Sequence, residues 1–259
     1  MGIFANPLTD LLEYEDFSRD FLKGTDPVGM TGCIDSEKVH FMSTFLGEKK
    51  VQLVVTYNEQ RAREIEEDYK LFCSQVYVIP PRDLIFFSAD LQGNAIIAER
   101  MKAFAALYQN EAKVIITTMD ALMSAAVPFE QLMSHVIKLK EGDELDLEKL
   151  KHDLTVMGYE RVGRVEEPGQ FTVHGGIADV YPLTMEVPVR IELWGDEIDT
   201  IRCFEPQSQR SMDQIECVSV FPAAEVIADD TARRRAAGMI QNELESQLAV
   251  FKKAKEPDK

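Results

Sequence analysis

The chain has 259 residues, 45% of them hydrophobic and 28% charged, which suits one to three small domains with room for their own cores. Its 45 acidic against 28 basic residues give a formal charge of −17, and this argues against unaided binding of nucleic acid, which draws on Lys and Arg to neutralise phosphates. No apolar run approaches the roughly 20 residues needed to cross a bilayer, and Met1 to Asp10 lacks a basic start followed by an apolar stretch, so a cytoplasmic protein with protein partners and no membrane partner is expected.

In chain order, Asn6-Pro7 is a helix start, and Leu8, Leu11, Leu12, Phe17, Phe21 and Leu22 recur at helical spacing until Gly24. Pro27 to Thr31 reads as a short strand. Val51 to Thr56 is a buried strand, followed by a helix over Asn58 to Phe72 with Ala62, Ile65, Tyr69 and Phe72 on one face. Val76 to Pro80 is a strand, Ile97 to Tyr108 marks a helix, Val114 to Thr118 is a strand and Asp120 to Ala125 a short helix. Strands that alternate with helices predict a parallel sheet with crossovers.

The texture changes after about Pro128. A strand at Val136 to Lys140 and a helix carrying Leu147, Leu150, Leu154 and Met157 lead to short alternating strands. These fall at Arg161 to Val165, Gln170 to His174, Ile177 to Tyr181, Val189 to Trp194, Ile198 to Phe204 and Cys217 to Phe221, with turns at Pro168-Gly169, Gly175-Gly176 and Gly195-Asp196. A mostly antiparallel α+β domain is expected here. Asp229 to Lys255 reads as a polar helix with Met239, Ile240, Leu244, Leu248 and Phe251 along one stripe, the start of a segment that continues in a longer protein. The predicted boundaries are 1–127, 128–224 and 225–259.

Cys33, Cys73, Cys203 and Cys217 lie far apart, and no His sits at ligand spacing from them. Reduced, mostly buried thiols are expected, with no metal and no cofactor. Glu64, Glu66, Glu67 and Asp68 read as a solvated helix face, and Trp194 as a packing residue beside a turn. No Ser-His-Asp or Cys-His arrangement is visible.

One loop invites a chemical reading. A working phosphate loop combines Gly-rich backbone, a Lys that reaches the terminal phosphates and a Ser or Thr that holds magnesium. In Gly29-Met30-Thr31-Gly32-Cys33-Ile34-Asp35-Ser36, the first Gly (Gly29) and Ser36 fit that template. Ile34 replaces the second template Gly, and Asp35 stands where the Lys belongs, putting negative charge against the phosphates. Gly29, Gly32, Asp35 and Ser36 therefore mark either a decayed phosphate loop or an ordinary strand-to-helix turn. Neither version binds ATP.

The segment from Gly158 to Ala224 carries Y-E-R, G-Q-F, D-V-Y-P, R-I-E-L-W-G-D-E-I-D and a final F-P-A. In these motifs it resembles the small second domain shared by the damage-verifying helicase UvrB and the bacterial transcription-repair coupling factors (Mfd). A weaker resemblance extends through residues 1 to 125, which look like a partial RecA-type domain. Asp35 departs from the intact phosphate loop of UvrB, and Phe86-Phe87-Ser88-Ala89-Asp90 runs almost directly toward the helix at Ile97, leaving no room for the aromatic hairpin of UvrB. Both departures favour the N-terminal, UvrB-like region of a coupling factor.

The resemblance implies an α/β chain built of a degenerate RecA-like parallel domain and a smaller antiparallel α+β domain. It implies no catalysis by this chain, UvrA as partner, and RNA polymerase and double-stranded DNA as partners of domains that this sequence lacks. It also implies a docking set: Arg161, Thr172, His174, Tyr181, Arg190 and Glu192, with Thr172 and His174 standing where UvrB has arginines. Strand alternation places Phe171 and Val173 on one side and Thr172 and His174 on the other, and sets Val189, Ile191 and Leu193 against Arg190 and Glu192. The residues alone favour a solvated sheet face, and the resemblance reverses that reading for the patch as a whole. The competing functional reading is a nucleotide-binding or helicase subunit related to UvrB, and a third is a DNA-binding scaffold.

Overall fold

Among the residues described by the computed structural model (8, 10, 14–47, 51–82, 91–227 and 230–253), two units are distinguished, 1–126 and 127–259. In the first, helices α1 (Tyr14–Lys23) and α2 (Asp35–Ser43) precede a parallel sheet of β1 (Gln52–Thr56), β2 (Val76–Ile79) and β3 (Val114–Thr118) in the order β1-β3-β2. The central strand β3 is buried along its whole length, as a continuous apolar run in a parallel sheet requires. Helix α3 (Glu59–Lys70) starts at Asn58, whose side chain accepts the Arg61 N–H at 2.8 Å. It buries Ala62, Ile65 and Tyr69, and the Tyr69 hydroxyl donates to Gln52 Oε1 at 3.0 Å. Helix α4 (Leu91–Tyr108) packs on β2, and α5 (Met119–Met123) follows β3 directly. Helices α1 and α2 meet through rings, with Phe17 and Phe41 edge-on at 4.8 Å.

Two expectations need correction here. Pro27 to Thr31 is irregular and mostly exposed. Its apolar Val28 and Met30 suggested a strand, but a strand requires a neighbour for its backbone, and the described sheet does not reach it. The thiols are also less buried than expected: Cys203 is buried, Cys33 and Cys73 are half-buried and Cys217 is exposed. Helix α1 ends as anticipated before Gly24, whose φ of +62° suits glycine. The start at Asn6-Pro7 and the junction Phe86 to Asp90 lie outside the described residues.

The second unit begins with α6 (Phe129–Met133), β4 (Ile137–Lys140) and α7 (Leu147–Val156). Helix α7 is capped by Asp146, which accepts the N–H groups of Glu148 and Lys149. Strands β5 (Glu160–Arg161), β6 (Gln170–His174), β7 (Ile177–Val180), β8 (Val189–Trp194), β9 (Glu197–Phe204) and β10 (Ser211–Gln214) form a six-stranded sheet in the order β10-β9-β8-β7-β6-β5. Every pair is antiparallel except β5 with β6. Strand β11 (Cys217–Val220) pairs with β4. The predicted strand over Arg161 to Val165 shrinks to two residues, and β10 is an added, fully exposed edge.

One face of the six-stranded sheet forms the core. Phe171, Val173, Ala178, Val180, Val189, Ile191 and Ile201 pack there with Leu150, Leu154 and Met157 of the α7 segment and with Leu139, Val218 and Val220 of the β4–β11 pair. The end of α7 is tied to the chain after β11: Met157 O accepts the N–H groups of Ala223 and Ala224 at 2.9 and 3.1 Å. The Tyr159 hydroxyl donates to Phe221 O at 2.7 Å. Helix α8 (Asp230–Lys253) follows, with Met239, Ile240, Leu244 and Leu248 exposed along its stripe.

Candidate functional site

The site is the face of the six-stranded sheet opposite that core. Because side chains alternate along a strand, residues paired across neighbouring strands share a face. The register therefore assembles two rows. Thr172 pairs with Asp179, Asp179 with Arg190, and Arg190 with Arg202. His174 pairs with Ile177, Ile177 with Glu192, and Glu192 with Thr200. Four of the six predicted residues, Thr172, His174, Arg190 and Glu192, are brought together in this way.

Arg190 is the most tightly held of them. Its Nε donates to Asp179 Oδ1 and its Nη2 to Asp179 Oδ2, both at 2.8 Å, a two-pronged match of guanidinium to carboxylate. Its carbon Cζ lies 4.8 Å from the centre of the Phe204 ring, close enough for a cation–π contact. Asp179 is only 6% exposed, so this carboxylate depends on its partner. The hydrogen bonds that Arg190 donates to Asp179 raise its pKa above the ordinary value, against the opposing effect of burial. In the second row, Thr200 Oγ1 donates to Glu192 Oε2 at 3.2 Å, while His174 is exposed.

Tyr181 and Arg161 are placed differently. Tyr181 is buried with Val165 and Phe204 in a small cluster apart from the main core, and its hydroxyl donates to Glu186 O at 2.6 Å. It supports the layer under Arg190 instead of projecting from it. Arg161 is exposed on edge strand β5, in register with Phe171 and not with Thr172, so it stands outside both rows.

A residue outside the predicted set extends the face. Trp194 was expected to pack beside its turn, yet it is 84% exposed. Alternation explains this: Leu193 packs against the core, which turns Trp194 outward with Glu192. Ile177, 41% exposed, adds a second apolar group. The parity of R-I-E-L-W was the available signal, masked by the expectation that tryptophan is largely buried.

The candidate phosphate loop has its own geometry. Asp35 opens α2 and is ion-paired with Lys38 at 3.1 Å and with Arg61 at 3.2 Å. The hydrogen bond from Lys38, followed by the charge of Arg61, holds its carboxyl below the usual range. Glu37 Oε2 accepts the Ile34 N–H at 3.0 Å, engaging an amide at the helix start, and Gly32 has a φ of +82°. Cations at this loop are thus partnered by the chain's own carboxylates. Among the described residues, no cluster of His, Cys, Asp and Glu forms a possible metal site, and no helix is long and apolar enough to cross a membrane.

The segment that carries the two rows coincides with a known domain type. Residues 137–225 match the family described as the UvrB interaction domain. Over most of its length the chain is similar to transcription-repair-coupling factors. It is 33% identical to that of Staphylococcus haemolyticus over 231 residues, 88% of this chain and 19% of the relative. It is 31% identical to that of Staphylococcus epidermidis over 246 residues (94% and 20%), and 29% identical to that of Bacillus subtilis over 259 residues (98% and 22%). The chain spans about a fifth of the length of the relatives it matches.

Proposed function

We propose that this chain is the non-catalytic docking module of a transcription-repair-coupling factor, which recruits UvrA to stalled RNA polymerase in transcription-coupled excision repair. The observation that carries this reading is the sheet face on which Thr172, Asp179, Arg190, Arg202, His174, Ile177 and Glu192 line up in register beside the exposed Trp194. It lies within the segment that matches the UvrB interaction domain. Arg and Trp are the residue types most often responsible for binding energy at protein interfaces. RNA polymerase and double-stranded DNA are then engaged by domains outside this sequence, and the module works in the cytoplasm.

The test is calorimetric titration of the chain into purified UvrA. Binding is expected, and Trp194→Ala is expected to weaken it about tenfold or more, since an aromatic anchor at an interface contributes at least ~1.4 kcal/mol. Thermal stability should stay the same, because Trp194 is 84% exposed. A folded parent chain that leaves UvrA untouched would overturn the reading.

The first unit serves as a scaffold, a RecA-type domain whose phosphate loop has lost its chemistry. Asp35, held by Lys38 and Arg61, supports this over a UvrB-like nucleotide-binding subunit. Titration of a fluorescent ATP analogue with magnesium is expected to give no saturable signal. Tight binding would restore the nucleotide-binding alternative.

A further inference from the structure

Arg202 stands directly opposite Arg190 across β8 and β9. Side chains so paired have Cβ atoms about 4.5–5.5 Å apart, and like charges in that position repel. The chain compensates on one side only. Asp179 takes Nε and Nη2 of Arg190, whereas Arg202 makes no ion pair among the described residues. Other arginines without an ion pair among the described residues, Arg161, Arg210, Arg234 and Arg235, are exposed, whereas Arg202 is half-buried beside a second guanidinium. The other register neighbour of Arg202 is the neutral Gln214. Glu192, in the adjacent row, is bonded to Thr200.

The row Thr172–Asp179–Arg190–Arg202–Gln214 therefore holds two guanidinium groups and one carboxylate. Arg202 is half-buried, and Nη1 of Arg190 also has no hydrogen-bond partner among the described residues. Two adjacent cations with donors to spare fit one further anion.

We propose that Arg202 and the unengaged edge of Arg190 form a clamp for a single carboxylate side chain on the docking partner. The clamp rests on the docking reading given above and adds the chemistry of the group recognised. A protein carboxylate fits better than a nucleic-acid backbone. One pair of cations matches one carboxylate, whereas a train of phosphates calls for a basic surface, and the chain's charge of −17 opposes a polyanion. The exposed Trp194 on the same face is likewise an interface residue type for protein partners.

The experiment is titration of the whole chain and of its Arg202→Gln and Arg202→Glu variants into UvrA at low and high salt. Arg202→Gln is expected to weaken binding about tenfold and to reduce its salt sensitivity, because a charge pair has been removed. Arg202→Glu is expected to weaken it further although the new carboxylate pairs with Arg190 and so favours the fold. Affinity and salt dependence equal to the parent's in both variants would overturn the clamp while leaving the docking module standing. Failure of the parent to bind UvrA would remove both. Binding of duplex DNA by the parent, lost in Arg202→Gln, would overturn the carboxylate in favour of a phosphate.

Discussion

Exchange of Arg190 for alanine is expected to destabilise the second unit by about 2–4 kcal/mol, read as faster amide exchange across residues 170–204. The cost arises from what stays behind. Asp179 is 6% exposed, and without the guanidinium its carboxylate is left charged in a largely dry place. Removing one partner of such a pair costs more than the intact pair contributes. Phe204 also loses the cation above its ring. Asp179→Ala is expected to cost less, because the Arg190 side chain is 22% exposed and can reach water. The double variant should be milder than the sum of the two by at least about 1 kcal/mol. Strict additivity would show that the two side chains act independently.

Gly158→Ala is expected to be comparably damaging, at about 2–5 kcal/mol. Two separate penalties combine. Gly158 has a φ of +91°, a left-handed conformation that costs a residue with a Cβ about 1–2 kcal/mol. An added Cβ would also lie 2.7 Å from Ala224 Cβ and 3.2 Å from its backbone nitrogen, and relieving such overpacking costs about 1–3 kcal/mol. The segment that would have to move is the one bonded to Met157 O through Ala223 and Ala224. Thermal unfolding followed by circular dichroism checks this. A melting temperature within about a degree of the parent's would show that the junction between α7 and the chain after β11 yields without strain.

Much of the second unit was legible because its sequence repeats a local rule. In Q-F-T-V-H and V-R-I-E-L-W the alternation of apolar and polar residues separates core from surface, and the Gly-containing turns mark where strands reverse. Those same strands set Thr172, His174, Arg190 and Glu192 on one face. Which residues touch across that face was not legible, since the Asp179–Arg190 pairing and the position of Phe204 beneath the guanidinium depend on register between strands. The first unit shows the opposite limit. V-I-I-T-T announced a buried strand, but Pro27 to Thr31, with similar apolar content, stays irregular because strand formation depends on a neighbour the segment does not specify. Trp194 was misjudged for a related reason: its size suggested burial, and only its parity with Glu192 pointed outward.

That parity has an optical consequence. The sequence contains one tryptophan, and it sits in water at the tip of the β8–β9 hairpin. Its emission in the isolated chain is that of a hydrated indole, and unfolding leaves it hydrated, so intrinsic fluorescence is nearly blind to the stability of this protein. Contact of another surface with that hairpin would dry the ring and move its emission to shorter wavelength. The chain thus carries its own unlabelled reporter of association, silent toward folding and sensitive to whatever covers the face beside Glu192.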